Sequence, residues 1–368
     1  MDGPLAWSCY QYCNLRSQYV WRCGQRPLGP EAERWSRGIF RNEKKTIQAY
    51  NKIVEEVTIS QLQEKMNSGL ESKSKSRTPG GGRLDGKVAI ITGAAGGIGS
   101  RLTRAFLNEG AKVVAVDFSE AALARIVAEL TKEGVTREQL MPIETDISDS
   151  QACANCIQST LDTFGTVHAL VNNAGISMNF VRPDYLTQPV RITELSPQIW
   201  DRIVGVNLSG AWYLSYNVLP HMVDQGYGRI INVTTSYNGM LFVGGQPYGA
   251  SKAGMEAMSL SHAGEFRGTG VTVNVVLPGG PVDTPMIPKE ASFARSELID
   301  PECMAPPMIW LCAEAGDDVT GRRYIAANWD PDIDFDAAAA ACSRPVAWPE
   351  LNKDLIVPKK NVIKEDQK

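Results

Sequence analysis

The chain has 368 residues, 43% hydrophobic and 21% charged, an ordinary globular balance with room for one large α/β domain plus extensions. No run of about 18 apolar residues occurs, so neither a transmembrane helix nor a membrane partner is expected. The net charge of −4 divides unevenly, with 14 Lys/Arg against 8 Asp/Glu in Met1–Arg83 and 23 against 33 in Leu84–Lys368, and a mildly acidic body argues against a nucleic-acid partner.

Residues 1–83 read as an extension. Its start is rich in Trp, Tyr, Cys and Arg without any period. It has no apolar core of a secretory signal, and its arginines leave organellar targeting open. From about 42 to 66, Ile47, Tyr50, Val54, Val57 and Leu62 recur at helical spacing, which predicts one amphipathic helix. Residues 68–82 have the Ser/Lys/Gly composition of a flexible linker. Cys9, Cys13 and Cys23 lack a fourth neighbouring ligand, so no metal is expected. The remaining cysteines imply no disulfide framework, as in a reducing, cytoplasmic setting. Cys153 and Cys156 fall in a predicted amphipathic helix and read as packing.

From Lys87 short β-branched runs alternate with helical stretches. Strands are predicted at Lys87–Thr92, Lys112–Val116, Ala169–Asn172, Arg229–Thr234 and Val271–Leu277, with a helix at about Ile98–Asn108. The alternation predicts a three-layer, doubly wound α/β Rossmann fold with a parallel sheet over residues 84–330, followed by a tail, 331–368, packing on the body or a neighbouring subunit. Directly after the first strand comes Thr92-Gly-Ala-Ala-Gly-Gly-Ile-Gly99. Glycines there let the backbone turn and approach a pyrophosphate, with the N-terminus of the next helix facing the anion. Asp117 ends the second strand, where a carboxylate accepts from an adenosine ribose and repels a 2′-phosphate. No Lys or Arg lies in Gly93–Gly99 or just after Asp117, so NAD is expected over NADP.

Tyr248 precedes Lys252 by four residues. On a helix the two share a face, and a nearby ammonium would lower the phenol pKa and make Tyr248 an acid/base. With the Gly93–Gly99 loop, Asn172-Asn173-Ala174-Gly175 and Tyr248-x-x-x-Lys252 in this order, the chain resembles the short-chain dehydrogenase/reductase family in its one-domain form. Asp146-Ile147, Asn207, Pro278-Gly279 and Asp283-Thr284-Pro285-Met286 agree with it.

The resemblance covers about Leu84–Asp330 and implies roles residue by residue. Gly93, Gly97, Ile98, Gly99 and Asp117 would hold the cofactor, with Asp146 at the adenine beside Ile147. Asn173, Ala174 and Gly175 would lie along the ribose, Pro278 and Gly279 near the nicotinamide, and Thr284 at its carboxamide. Asn207 would hold a water in a proton relay, and Lys252 would bind the ribose. Ser236 lies three residues before Gly239 and twelve before Tyr248 and takes the substrate-binding hydroxyl, with Thr235 as the alternative. The implied reaction is NAD(H)-dependent interconversion of a secondary alcohol and a ketone. The alternative is a dinucleotide-binding regulatory or scaffold protein without turnover.

The region 285–300 would form a mobile lid, and 176–198 is longer than the usual connection. Neither carries a basic cluster, so a small-molecule alcohol or ketone is expected as substrate. Through the family resemblance the apolar faces of Asn207–Val223 and Tyr248–Phe266 are expected to form a subunit interface, giving a homodimer or homotetramer.

Overall fold

The computed structural model describes residues 82–349, apart from 290 and 292. The expectations for the irregular start, the helix at 42–66, the linker up to 81, Cys9, Cys13, Cys23 and the tail from 350 onward lie outside the described residues.

The elements run β1 (Val88–Thr92), α1 (Gly97–Asn108), β2 (Lys112–Asp117), α2 (Glu120–Lys132), β3 (Leu140–Glu144), α3 (Ser150–Phe164) and β4 (Ala169–Asn172). After a long connection come α4 (Pro197–Val204), a π-helical turn (Gly205–Ser209), α5 (Gly210–Asp224), β5 (Gly228–Val233), a short α6 (Tyr237–Leu241), α7 (Tyr248–Glu265) and β6 (Val271–Leu277). The fold closes with α8 (Ala305–Cys312), β7 (Arg322–Ile325), α9 (Phe335–Cys342) and β8 (Ser343–Pro345).

The strand order is β3-β2-β1-β4-β5-β6-β7-β8, parallel throughout except for the antiparallel pair β7–β8. The expected parallel sheet is therefore present, with one antiparallel edge strand that its three-residue length concealed. The division expected at residue 330 falls inside this sheet fold, because α9 and β8 complete it.

The two-residue period of each strand builds the three layers. Ala89 and Ile91 of β1 and Val113 and Ala115 of β2 enter one core, which is closed by α1, α2, α8 and α9 through Leu102 and Phe106, Leu130, Met308 and Ala338. Ile90, Val114 and Val116 point to the opposite core, closed by α3 and α5 through Ile157, Leu214 and Val218. Cys153 and Cys156 are buried in that second core, as their helical spacing predicts.

Between β1 and β4 the order of strands reverses. The carboxyl ends of strands at such a point leave a crevice between diverging connections. A polar chain crosses the core just below it: Asn172 Nδ2 donates to Asn232 Oδ1 (2.8 Å), and Asn232 Nδ2 donates to Ser259 Oγ on α7 (2.8 Å). Bonds between buried amides of this kind fix β4, β5 and α7 in one register, because any slip would break them.

Candidate active site

The glycine loop closes onto the end of β4 at the reversal point. The buried Thr92 hydroxyl accepts from the N–H groups of Asn173 and Ala174 (both 3.0 Å), and Asn173 Nδ2 donates to Thr92 O (2.8 Å). Gly93 has φ +64°, and a Cβ there would lie 2.9 Å from Ala174 Cα. A Cβ on Gly99 would sit 1.9 Å from Gly93 O, and one on Gly97 would sit 2.4 Å from Thr284 Cγ2. These three glycines, Asn173, Ala174 and Thr284 are thus brought together by backbone approaches that only glycine permits.

Helix α2 is capped by Ser119 and α3 by Asp149, whereas α1 opens on Gly96 with no side-chain cap and no acid in its first turn. Its N–H groups and positive dipole end are left to an external anion. Asp117 lies beside the loop, with Oδ2 accepting from Ala95 N (3.1 Å) and Oδ1 from Ser119 N (3.2 Å). An uncapped cradle next to a ribose-height carboxylate fits a dinucleotide.

Asp146 accepts from Ser148 Oγ (2.7 Å) and from Arg202 Nη1 (2.6 Å). Burial pushes its pKa up, but the Ser148 and Arg202 bonds outweigh this and hold it below the usual carboxylate range. The Ile147 side chain is buried in the α3/α5 core. Ile98 packs on the opposite core, Gly279 adopts φ +107°, and Pro278 O accepts from Ala327 N (3.0 Å). The base of the expected lid is tied down: Arg295 Nη1 pairs with Asp283 (2.8 Å) and its Nη2 donates to Ile287 O (3.0 Å).

On α7, Tyr248 and Lys252 share a face one turn apart. The Lys252 ammonium is buried and donates to Val233 O (2.8 Å). Gly175 lies between it and Asn207, since a Cβ on Gly175 would be 3.4 Å from Lys252 Nζ and 3.3 Å from Asn207 Oδ1. Asn207 sits in the π-helical turn and is fully buried. Its Oδ1 accepts from Ile176 N (2.8 Å), and its Nδ2 donates to Ile176 O (2.9 Å) and Ser251 Oγ (3.0 Å). Such single π turns recur where a helix must present a side chain out of phase.

One expectation is corrected by this geometry, and a second gains a competitor. Tyr248 is not held low: burial pushes its phenol up to about 12, with the Thr235 hydrogen bond opposing and the Tyr185 phenol adding to the rise. Burial pushes Lys252 down to about 8, and its ammonium is directed to Val233 O. The hydroxyl has a competitor. Ser236 is the N-cap of α6, its Oγ accepting from Gly239 N (3.1 Å), and the neighbouring Thr235 side chain acts on the Tyr248 phenol, drawing its pKa down against burial. Ser236 three residues before Gly239 is the signature of a helix cap, which explains why spacing favoured it.

Sequence reasoning also passed over Thr92, Ser251 and Tyr185. Thr92 was visible as the hydroxyl ending β1 before the glycines. Ser251, whose Oγ donates to Tyr248 O (2.7 Å), was visible three residues after the tyrosine. Tyr185, from the long connection, is buried against Tyr248 with its hydroxyl 3.3 Å from Ser177 Oγ, and no local pattern announces it.

The family model for short chain dehydrogenases matches residues 87–294. The chain is 32% identical over 249 residues to a 3-oxoacyl-[acyl-carrier-protein] reductase of Thermotoga maritima, an alignment covering 65% of this chain and 96% of that one. A solved short-chain dehydrogenase/reductase from Burkholderia xenovorans superposes with TM-score 0.58 at 29% identity, over 66% of this chain and 95% of its own. A 3-ketoacyl-(acyl-carrier-protein) reductase from Brucella melitensis, solved with NADH, superposes with TM-score 0.55 at 28% identity, over 64% and 95%.

The Gly99 contact makes the cradle testable. Gly99→Ala forces its methyl against Gly93 O, so the loop must shift, and the variant should lower the Tm and weaken dinucleotide binding at least tenfold in a fluorescence titration of the folded protein. Unchanged affinity would show that the loop does not hold the cofactor.

Proposed function

The chain belongs to the short-chain dehydrogenase family, and from that premise we propose that it interconverts a secondary alcohol and a ketone with NAD(H), with Tyr248 as the acid/base. The observation that carries this reading is the joint placement of the Tyr248 phenol, the Thr235 hydroxyl bonded to it and the buried Lys252 amine beside Asn207 and Gly175. A dinucleotide held by the glycine cradle through its pyrophosphate, with Thr284 at the carboxamide, would supply or take up the hydride. The protein's own groups handle the proton and the charge on oxygen.

In reduction the Tyr248 phenol gives its proton to the carbonyl oxygen, while Thr235 donates a hydrogen bond to the same oxygen from about 3 Å and stabilises its developing charge. A phenol pushed up to about 12 is protonated at neutral pH and has a proton to give in reduction. Oxidation needs the phenolate, which the Thr235 hydrogen bond favours. Lys252 holds the nicotinamide ribose and, through Asn207, links Tyr248 to a proton supply. Asp117 selects NAD(H), because a 2′-phosphate would meet its carboxylate with no cation in Gly93–Gly99 to offset it.

No basic cluster borders Tyr248. Tyr237, Leu241 and Val243, on the segment between Thr235 and Tyr248, are exposed apolar side chains. They support an apolar, uncharged ketone or alcohol of moderate size. Trp212 and Tyr216 of α5 stack with centroids 5.1 Å apart and are exposed, as is Leu260 of α7, which supports a homo-oligomer formed through these helices. The described residues contain no helix long and apolar enough to cross a membrane. A regulatory binder without turnover would have no use for a phenol, hydroxyl and amine assembled in this way.

The decisive assay follows NADH absorbance over a panel of apolar ketones and secondary alcohols. Tyr248→Phe and Thr235→Ala should each lower kcat by a factor of 100 or more, and Ser236→Ala by less than tenfold, while kcat/KM with NADH should exceed that with NADPH at least tenfold. A severe loss in Ser236→Ala with a mild one in Thr235→Ala would return the role to the serine, and an NADPH preference would remove it from Asp117.

The Lys252 shift fixes a pH dependence. Its folded pKa is lowered to about 8, so the ammonium is present below that value and lost as the pH rises through it. NADH affinity should therefore be constant from pH 6 to 7 and fall above 8, and Lys252→Arg should keep whatever affinity it has to pH 10. A flat wild-type titration to pH 10 would contradict the ribose role.

A further inference from the structure

Helix α7 continues the line of Tyr248 and Lys252 with Glu256, one further turn along the same face. Glu256 is fully buried, and three groups converge on its carboxylate. Arg323 Nε of β7 forms an ion pair with Oε1 (2.9 Å), Thr234 Oγ1 donates to Oε2 (3.0 Å), and the Ala347 N–H donates from beyond β8. The Arg323 guanidinium does not stop at the carboxylate, since its Nη2 donates to Thr235 O (3.1 Å). The pair therefore binds the side chain of Thr234 and the carbonyl of Thr235 to the helix that carries Tyr248.

We propose that Glu256 and Arg323 are positioning residues for the reaction, fixing the loop after β5 against α7 so that the Thr235 hydroxyl meets the Tyr248 phenol. The inference rests on the reading of Tyr248 and Thr235 given above. Three observations support it. The span is the right one: Thr235 leaves β5 just before the chain turns into α6, and its hydroxyl direction is set by its backbone, of which the carbonyl is pinned by Arg323. Largely buried ion pairs recover little net stability, since a well-packed apolar pair serves as well or better, so stability alone does not account for this one. The guanidinium carries its donors on separate nitrogens and so spans Glu256 Oε1 and Thr235 O at once, where an ammonium is a compact point on a flexible stem. A misplacement of about 1 Å in a reacting pair costs up to 100-fold in rate, so a small freedom at Thr235 would be felt in kcat.

The pair also reaches the end of the described chain. Ala347 and Trp348 both adopt left-handed backbone (φ 56° and 49°), and the Trp348 ring meets Tyr237 edge-on at 5.9 Å. The strained turn thus brings the Ala347 N–H to Glu256 and covers the residue that follows Ser236. The segment after β8 is held to the site through the same carboxylate.

The test is the double variant Glu256→Met/Arg323→Met, which removes both charges while keeping apolar volume, measured beside wild type and Tyr248→Phe. The expected result is a fall in kcat of at least tenfold, with KM for NADH within twofold and Tm within a few degrees of wild type. Wild-type kcat would overturn the proposal, and so would a fall in kcat that only tracks losses of Tm and cofactor affinity. Arg323→Lys keeps the charge opposite Glu256 but loses the bridge to Thr235 O. It should give an intermediate loss of kcat at unchanged Tm, and a wild-type rate in it would again overturn the role, whether or not the double variant folds. Tyr248→Phe separates the two levels: if it turns over as fast as wild type, the reading of Tyr248 fails and this proposal with it. If Tyr248→Phe is dead while both pair variants match wild type, only the positioning role fails.

Discussion

The site depends on keeping one amine charged where water does not reach. A buried ammonium loses several kcal/mol of hydration and persists only where oxygen atoms replace the water. Lys252 meets this condition at one point in the fold, where the carboxyl end of β5 offers Val233 O at 2.8 Å and the π-helical turn brings Asn207 beside it. Those two elements are fixed in turn. Asn207 is locked by a reciprocal pair of bonds to Ile176, and β5 is locked by Asn232 between Asn172 and Ser259. The polar chain through the core thus sets the position of the cation above it. Gly175 is needed because any side chain there would enter the space between the amine and the amide.

Much of this was legible in the sequence. The alternation of β-branched runs and amphipathic helices predicts the layers, because each strand residue must choose one of two cores. The glycines of the first loop predict the reversal point, because their spacing is useful only where two backbones and an anion meet. That Tyr248 and Lys252 share a face follows from helical spacing, and their importance follows from their order after the glycine loop and Asn172–Gly175. What could not be read was direction. Thr234, Thr235 and Ser236 are three adjacent hydroxyls, and the chain leaves β5 among them. Whether α6 begins at one residue or the next decides which hydroxyl caps the helix and which faces Tyr248. The sign of the Tyr248 shift was likewise hidden: a nearby cation lowers a phenol pKa and burial raises it, and only the packing shows that burial prevails here.

That burial has a specific source in the long connection between β4 and α4. Its residues Met178, Tyr185 and Val190 form a small core of their own, with Ile203 from α4, and Tyr248 packs against it. Arg182 holds the connection in shape, pairing with Asp184 (3.3 Å) and Glu194 (3.1 Å) and donating to the carbonyls of Gln188 and Pro189. Gly244, at φ +79°, lets the segment before Tyr248 approach Pro189, and Phe242 meets the Tyr185 ring at 6.4 Å. The connection is therefore one wall of the site and not a surface loop.

Selectivity and reactivity are then set by the same side chains. The apolar wall that would accept an uncharged substrate also withdraws water from the phenol, and this keeps the Tyr248 proton in place at neutral pH. A change that opened the wall, at Tyr185 or Phe242, would readmit water and lower the cost of the phenolate while reshaping this side of the site. The side chains that shape the wall and those that set the proton affinity of Tyr248 are therefore the same, and neither property can be altered without the other.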